Sequence, residues 1–204
     1  MARATLEEAF AEARAAMERG DWEAFCACLD AETLLRIVEN GVARLLSGGP
    51  ATADLFTRLC GEHDVPDAMV ATLRARLERM AESGRALVSP EIRSDQRAMV
   101  EESLRHKRVV DEYRESLKST LKAVPDLARF TAALERALRA ESGGGSMSTR
   151  LFVGETLADV SITGTKAWAT RRGAAGHVED VGFVRRKGEW YVRPLAKRPG
   201  TGRR

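Results

Sequence analysis

Residues 158–172 and 178–194 show the clearest alternation of apolar and polar positions in the chain. Each segment reads as two short strands around a two-residue turn, at residues 164–165 in the first and 187–188 in the second. Because the side chains of a strand alternate between the two faces of a sheet, this pattern predicts strands with one buried face. The two segments therefore predict two hairpins of a half-buried antiparallel sheet.

The positions of the turns also determine which side chains share a face. In the first hairpin Thr163 opposes Lys166, and in the second Phe183 opposes Val192. The predicted apolar face consists of Val160, Ile162, Ala167, Ala169, Val181, Phe183, Trp190 and Val192. Trp168 falls on the polar face, where a large aromatic ring requires cover from a helix, the tail or a partner.

The residues before the sheet have the apolar spacing of helices. Thr5 opens a capping-box pattern, and Asp21 has the residue type of an N-cap for a second helix. Further helices are predicted over residues 33–46, 52–60, 66–84 and 94–122, and from Pro125 onward. The helix over residues 94–122 is highly charged, and its narrow apolar stripe includes His106, which we interpret as a packing residue.

Helices first and antiparallel strands last are the order of an α+β fold. The sequence predicts N-terminal helices and a long helical insertion, followed by a C-terminal four-stranded antiparallel sheet of two hairpins. Residues 1–48 are predicted to be the N-terminal helices of the α+β body, and residues 49–142 a charged helical insertion. Residues 149–195 complete the body, residues 142–146 (SGGGS) are the clearest linker, and residues 196–204 are a basic disordered tail.

Composition describes a globular protein of 204 residues, 44% hydrophobic and 31% charged. The chain contains no run of about 18 apolar residues, so no membrane segment is predicted. Its first 20 residues have no apolar stretch of the signal-peptide kind, which favours a cytoplasmic location. Three cysteines form an odd set without the spacing of a disulfide framework, as expected in a reducing compartment.

Positive charge is concentrated in residues 145–204, which hold 12 of the 33 Lys and Arg residues and 5 of the 30 Asp and Glu residues. A basic sheet edge with a basic tail is able to attract an acidic partner or a nucleic acid. Basic residues also protect edge strands from aggregation. No aromatic-rich RNA-binding signature accompanies the charge, so this second interpretation is favoured and nucleic acid is not an expected partner.

The residues that suggest chemistry all have a structural interpretation that is at least as strong. Cys26, Cys28, Cys60 and His63 are soft ligands, but two of them fall about 200° apart on one predicted helix, so no metal is predicted. His177 lies near two acidic residues in a predicted loop, where exposed polar residues are common. The sequence predicts no catalytic residue and no cofactor.

Two sets of residues are candidates for binding. Trp22, Phe25 and Trp190 are candidates for the lining of a ligand cavity between helices and sheet, although aromatic residues at such positions are often core. The candidates for contact with a protein partner are Trp168, Arg171 and Arg185.

Three segments resemble the nuclear-transport-factor-2-like superfamily: residues 20–25 (GDWEAF), 160–167 (VSITGTKA) and 181–190 (VGFVRRKGEW). The resemblance covers roughly residues 5–46 and 149–195. It implies an α+β cone in which a curved antiparallel sheet wraps a few N-terminal helices. The superfamily includes isomerases, dehydratases and hydrolases beside non-catalytic binding domains, so it does not assign an activity.

The resulting expectation is a non-catalytic cytoplasmic binding or scaffold protein that acts through protein–protein association, with a protein partner or as a homodimer. The alternative is a small-molecule enzyme of the isomerase, dehydratase or hydrolase type, with its cavity between helices and sheet. Asp21, His177 and Tyr191 are the titrating residues that this alternative would use.

Overall fold

The computed structural model describes residues 3–47, 50–142, 151–173 and 176–194. Within these residues eight helices precede four strands, which confirms the predicted α+β fold class. The helices are α1 Leu6–Glu18, α2 Trp22–Ala27, α3 Ala31–Ser47, α4 Pro50–Glu62, α5 Asp67–Leu87, α6 Pro90–Ser94, α7 Gln96–Lys122 and α8 Leu127–Ser142. The strands are β1 Glu155–Thr163, β2 Lys166–Gly173, β3 Val178–Arg186 and β4 Glu189–Arg193. Most of the predicted linker and the basic tail lie outside the described residues.

Helices begin where the sequence places capping side chains. Thr5 and Glu8 form both hydrogen bonds of the capping box at the start of α1. The Asp21 carboxylate accepts from the Ala24 amide at the start of α2, 3.0 Å away. The predicted helix over residues 94–122 is shorter at its beginning, because the Asp95 carboxylate caps α7 and separates it from α6.

The chain divides into two compact units, with the first boundary inside α3. Residues 1–41 and 127–204 form the sheet unit, and residues 42–126 form the helical unit. This division differs from the predicted insertion over residues 49–142, because α8 packs against α2 and belongs to the sheet unit. Helical periodicity identified the apolar face of α8 but not the element that this face contacts.

The sheet is an antiparallel meander in the order β1-β2-β3-β4. The predicted register is confirmed at Ile162 opposite Ala167 and at Phe183 opposite Val192. Both predicted turns are present, and Gly188 has φ +89°, a backbone conformation that residues other than glycine rarely adopt.

The prediction that Val160 and Ile162 are buried is wrong. They are 42% and 60% exposed, whereas Ala167, opposite Ile162, is fully buried. A register shift between Ala158 and Ser161, with Asp159 at φ +53°, interrupts the alternation in β1. β1 is also an edge strand, and Val160 and Ile162 lie in its second half, whereas Leu157, nearer its start, packs against the core.

Backbone hydrogen bonds cover the β4 edge of the sheet. Along β4, the Val192 amide donates to the Cys28 carbonyl at 2.8 Å, and the Trp190 amide donates to the Arg3 carbonyl at 3.0 Å. The Asp30 amide in turn donates to the Val192 carbonyl at 3.3 Å. Backbone from the N-terminal part of the chain therefore covers the β4 edge, which leaves no free row of hydrogen-bonding groups there.

Aromatic rings fill the space between α1, α2 and the apolar face of the sheet. The ring of Phe152 lies 5.0 Å from that of Phe10 and 5.9 Å from that of Phe25. Phe183 from β3 joins the same core, and all four side chains are at most 3% exposed. Close packing of this kind contributes most of the hydrophobic stabilisation of a small unit.

The helical unit is built around the hairpin of α5 and α7, with α4 and α6 beside it. Side chains from both long helices are buried, among them Val70 and Leu73 of α5 and Tyr113 and Leu117 of α7. Because only one stripe of α7 carries these residues, most of its remaining surface is polar and exposed.

Candidate functional site

Four large apolar side chains are exposed together at one end of the α5–α7 hairpin. Val88 follows α5, and Met99, Val100 and Leu104 lie in the first turns of α7; they are 56%, 41%, 52% and 54% exposed. We call these four residues the hairpin tip. Single exposed apolar residues are common, but a group of them points to an interaction surface.

The helical geometry of α7 explains why Val100 and Leu104 are not covered by α5. At about 100° per residue, Met99 lies in line with the buried Leu117, whereas Val100 and Leu104 point roughly 100° and 140° away from that line. Met99 therefore continues the packing stripe at the end of the hairpin. Val100 and Leu104, one turn apart, form an apolar pair on a face that α5 does not contact.

A hydrogen bond between α5 and α7 fixes the hairpin one turn from the tip. The Ser83 hydroxyl lies 2.8 Å from Nδ1 of His106, and it also donates to the Met80 carbonyl at 3.0 Å. His106 is half-buried, in agreement with its interpretation as a packing residue. The bond joins the two helices close to the tip, so the tip is part of a packed hairpin rather than two independent helix ends.

A second candidate is an open groove in the sheet unit, with a volume of about 710 Å³. Its apolar wall comes from α2, α3 and α8, and its opposite wall comes from the turns of the two hairpins. The lining includes Leu29, Leu34, Leu127, Ala128, Thr165, Arg185, Arg186, Lys187 and Tyr191. We call it the cationic groove, after its three consecutive basic residues, 185–187.

The residues predicted to line a cavity do not line this groove. Phe25 is fully buried in the aromatic core, and Trp190 is 5% exposed. Trp22 is half-buried, with its ring 6.2 Å from that of Phe25 and the guanidinium of Arg139 over it at 4.3 Å. The structure thus gives all three aromatic side chains a packing role, which was the alternative interpretation of the sequence.

The three residues predicted to contact a partner occupy different environments. Trp168 is half-buried on the outer face of the sheet, opposite Gly182 of β3. Arg185 is exposed, lies in the cationic groove and donates from Nε to the Gly188 carbonyl at 3.3 Å. Arg171 is only 4% exposed, so the expectation that it forms part of a binding surface is wrong.

Arg171 lies inside a buried ion-pair network. Its Nη1 donates to both carboxylate oxygens of Glu155, at 2.9 and 2.8 Å, and its Nη2 pairs with Glu179. The guanidinium also lies 5.4 Å from the centre of the Phe152 ring. Alternation could have identified this position, because Arg171 follows the buried Ala169 by two residues and so shares its face.

The titrating residues of the enzyme alternative have other partners. Asp21 caps α2, Nε2 of the exposed His177 lies 3.1 Å from Glu179, and the Tyr191 hydroxyl donates to Glu189 at 3.2 Å. None of these three side chains points into the aromatic core. That region therefore gives the enzyme alternative no acid or base among the residues that the sequence suggested.

All three cysteines are free and buried. Burial raises the pKa of Cys26 to about 12, with a further contribution from Glu135, and raises the pKa of Cys28 to about 11. Burial also raises the pKa of Cys60 to about 12. At neutral pH the thiols are therefore protonated and poor nucleophiles or ligands. Among the described residues, no cluster of three or more His, Cys, Asp or Glu side chains could hold a metal ion.

The raised pKa of Cys26 predicts a loss of stability in alkali. A thiol whose pKa is higher in the folded state stabilises the fold below pH 9 and loses this contribution as the pH rises towards 12. We expect the stability difference between wild type and Cys26→Ala to shrink by up to about 2 kcal/mol between pH 8 and pH 11. Urea unfolding followed by tryptophan fluorescence measures the unfolding free energy of both proteins at each pH. A difference between them that stays constant with pH would refute the raised pKa of Cys26.

The comparisons with known proteins identify no relative. No family model, curated protein or solved structure matches the chain. The resemblance to the nuclear-transport-factor-2-like superfamily therefore stays a prediction. No helix in the described part of the chain is both long enough and apolar enough to span a membrane.

Proposed function

We propose that this is a non-catalytic binding protein that acts through protein–protein association, and that its partner at the hairpin tip is a second copy of the same chain. The observation that carries the proposal is the exposure of Val88, Met99, Val100 and Leu104 at one end of the α5–α7 hairpin, next to the bond between Ser83 and His106. Three free cysteines support a cytoplasmic location, where thiols stay reduced.

The charges around the tip favour a second copy over a strongly charged partner. Residues 82–105 carry five acidic and four basic side chains, a net charge of −1. Arg97 pairs with Glu101 at 3.2 Å, and Arg105 pairs with Glu102 at 3.7 Å. Since both signs are interspersed, two copies related by a two-fold axis meet without strong repulsion, and opposite charges are able to pair around the apolar centre.

The size of the tip limits the strength of this association. Stable interfaces bury about 800 Å² on each partner, more than four half-exposed side chains provide. Polar neighbours must therefore join the contact, and the expected dissociation constant is in the micromolar range, about 1–100 μM. Proteins that associate in this range exchange between one-chain and two-chain forms as their concentration changes.

Light scattering across a concentration series tests the proposal. Wild type is expected to approach twice the 22.4 kDa mass of one chain as its concentration rises. Leu104→Glu places a charge in the apolar centre of both copies and is expected to weaken the dimer about 100-fold or more. Circular dichroism shows whether the variant keeps its helices.

Ser119→Glu is the matched control. It introduces the same charge on the same helix at an exposed position, about 22 Å further along α7. Its dimerisation is expected to match that of wild type. A wild type that keeps the mass of one chain up to about 0.5 mM, or equal weakening by the two substitutions, would contradict the proposal.

A further inference from the structure

The cationic groove joins an apolar wall to a cluster of basic side chains. On one wall, Leu34 is 6% exposed and Leu127 and Ala128 are half-buried, packed against the core of the sheet unit. On the other wall, Arg186 and Lys187 are exposed. A groove of this volume is within the usual range for small-molecule sites, about 300–1,000 Å³.

The basic side chains of the groove are available for a ligand. Within the described residues, Arg185, Arg186 and Lys187 form no ion pair. A backbone bond anchors the segment that carries them: the Arg185 amide donates to the Thr165 carbonyl at 2.7 Å, which ties the turns of the two hairpins together. The guanidinium and ammonium groups therefore present positive charge at one end of the apolar wall.

The carboxylate in the groove does not cancel this charge. Asp30 belongs to the groove lining but is only 3% exposed, and its carboxylate lies 3.3 Å from Nε of Arg193, a residue that does not line the groove. Asp30 also accepts hydrogen bonds from the amide and the hydroxyl of Thr33. Since this buried acid is paired with Arg193 and the three basic residues of the groove are exposed, the groove favours anions.

From this arrangement we propose that the cationic groove binds an anionic amphiphile, a small molecule with a carboxylate or phosphate headgroup on an apolar chain. The headgroup pairs with Arg186 and Lys187, and the chain lies along Leu34, Leu127 and Ala128. Guanidinium and ammonium groups bind both kinds of headgroup, so the shared chemistry of the ligand is its negative charge beside apolar length. The site lies entirely in the sheet unit and is independent of self-association at the hairpin tip.

Titration calorimetry with three ten-carbon probes tests the site, with each anion below its micelle-forming concentration and the alcohol below its solubility limit. Decanoate and decyl phosphate carry the two headgroups, and decan-1-ol has the same chain without charge. Wild type is expected to bind both anions at least tenfold more tightly than the alcohol. A preference between decanoate and decyl phosphate identifies the headgroup.

Two variants separate the roles of the walls. The double variant Arg186→Gln/Lys187→Gln is expected to weaken binding of both anions about tenfold or more and to leave binding of the alcohol within twofold. Leu127→Ser is expected to weaken all three probes, because it removes apolar contact from the chain. Thermal unfolding of each variant, compared with wild type, shows that the fold is kept.

Three results would overturn the proposal. In the first, neither decanoate nor decyl phosphate binds. In the second, the alcohol binds as tightly as the anions. In the third, the affinity for the anions is unchanged by Arg186→Gln/Lys187→Gln. Light scattering of the same variants is expected to match wild type, since the groove and the hairpin tip share no residue. A failure of the ligand site is thereby distinguishable from a failure of the proposed association.

Discussion

Replacing Arg171 with methionine is expected to lower the free energy of unfolding of the sheet unit by about 3–5 kcal/mol. The substitution keeps the length of the side chain but leaves the carboxylate of Glu155, 7% exposed, without its main partner. Removing one partner of a buried ion pair destabilises a protein far more than replacing both partners with apolar side chains, because the remaining charge stays buried without an opposite charge. Urea unfolding followed by tryptophan fluorescence measures the change, since all three tryptophans, Trp22, Trp168 and Trp190, belong to this unit.

The neighbouring residue provides the matched control. Arg172 also forms an ion pair, with Asp159 at 2.8 Å, but both side chains are more than half exposed. Arg172→Met is therefore expected to cost less than about 1 kcal/mol. Combining Arg171→Met with Glu155→Leu removes both buried charges and is expected to recover much of the loss. Equal costs for Arg171→Met and Arg172→Met would refute the network.

Phe152→Ala is expected to destabilise the sheet unit by about 3–5 kcal/mol. The ring is fully buried between those of Phe10 and Phe25, so its removal leaves a cavity that the neighbouring rings only partly fill. Phe152→Leu keeps part of the volume and is expected to have an intermediate effect. The same tryptophan-detected unfolding experiment measures both variants.

Val153→Ala is the control for this prediction. Val153 is adjacent in sequence but 42% exposed, so its truncation is expected to change stability by no more than about 0.5 kcal/mol. Similar effects at the two positions would mean that Phe152 does not lie in the core. The aromatic filling of the space between helices and sheet would then have to be abandoned.

Local signals in the sequence predicted the helices and hairpins because the physical causes of these elements lie within a few residues. Thr5 and Asp21 cap helices through side chains three residues from their partners. The turn at residues 187–188 determines the pairing of Phe183 with Val192 by counting alone. Such features do not depend on distant parts of the chain, so they are visible without a structure.

The prediction failed where distant contacts or a local irregularity decide the outcome. The pairing of β1 with β2 shifts register near Asp159, and the alternation of apolar and polar residues in the sequence does not show this shift. It accounts for the exposure of Val160. Periodicity located the apolar face of α8 but not its packing against α2.

The candidate sites depended still more on tertiary structure. The cationic groove combines residues near positions 30, 127, 165 and 186, which no sequence window brings together. The exposure of Val100 and Leu104 also required knowledge of where α5 lies.

A spin-label distance between chains is the most direct test of association through the hairpin tip. Because the native cysteines are buried, a label attaches selectively to Arg97→Cys, whose side chain is 88% exposed beside the tip. In a tip-to-tip dimer both labels lie close to the contact, because residue 97 is within about 10 Å of Leu104 along α7. The predicted distance between the two labels is therefore shorter than about 30 Å, which is the length of a 20-residue helix. A labelled Arg172→Cys in the sheet unit provides the comparison. A short distance between labels at residue 172, with none between labels at residue 97, would contradict the account.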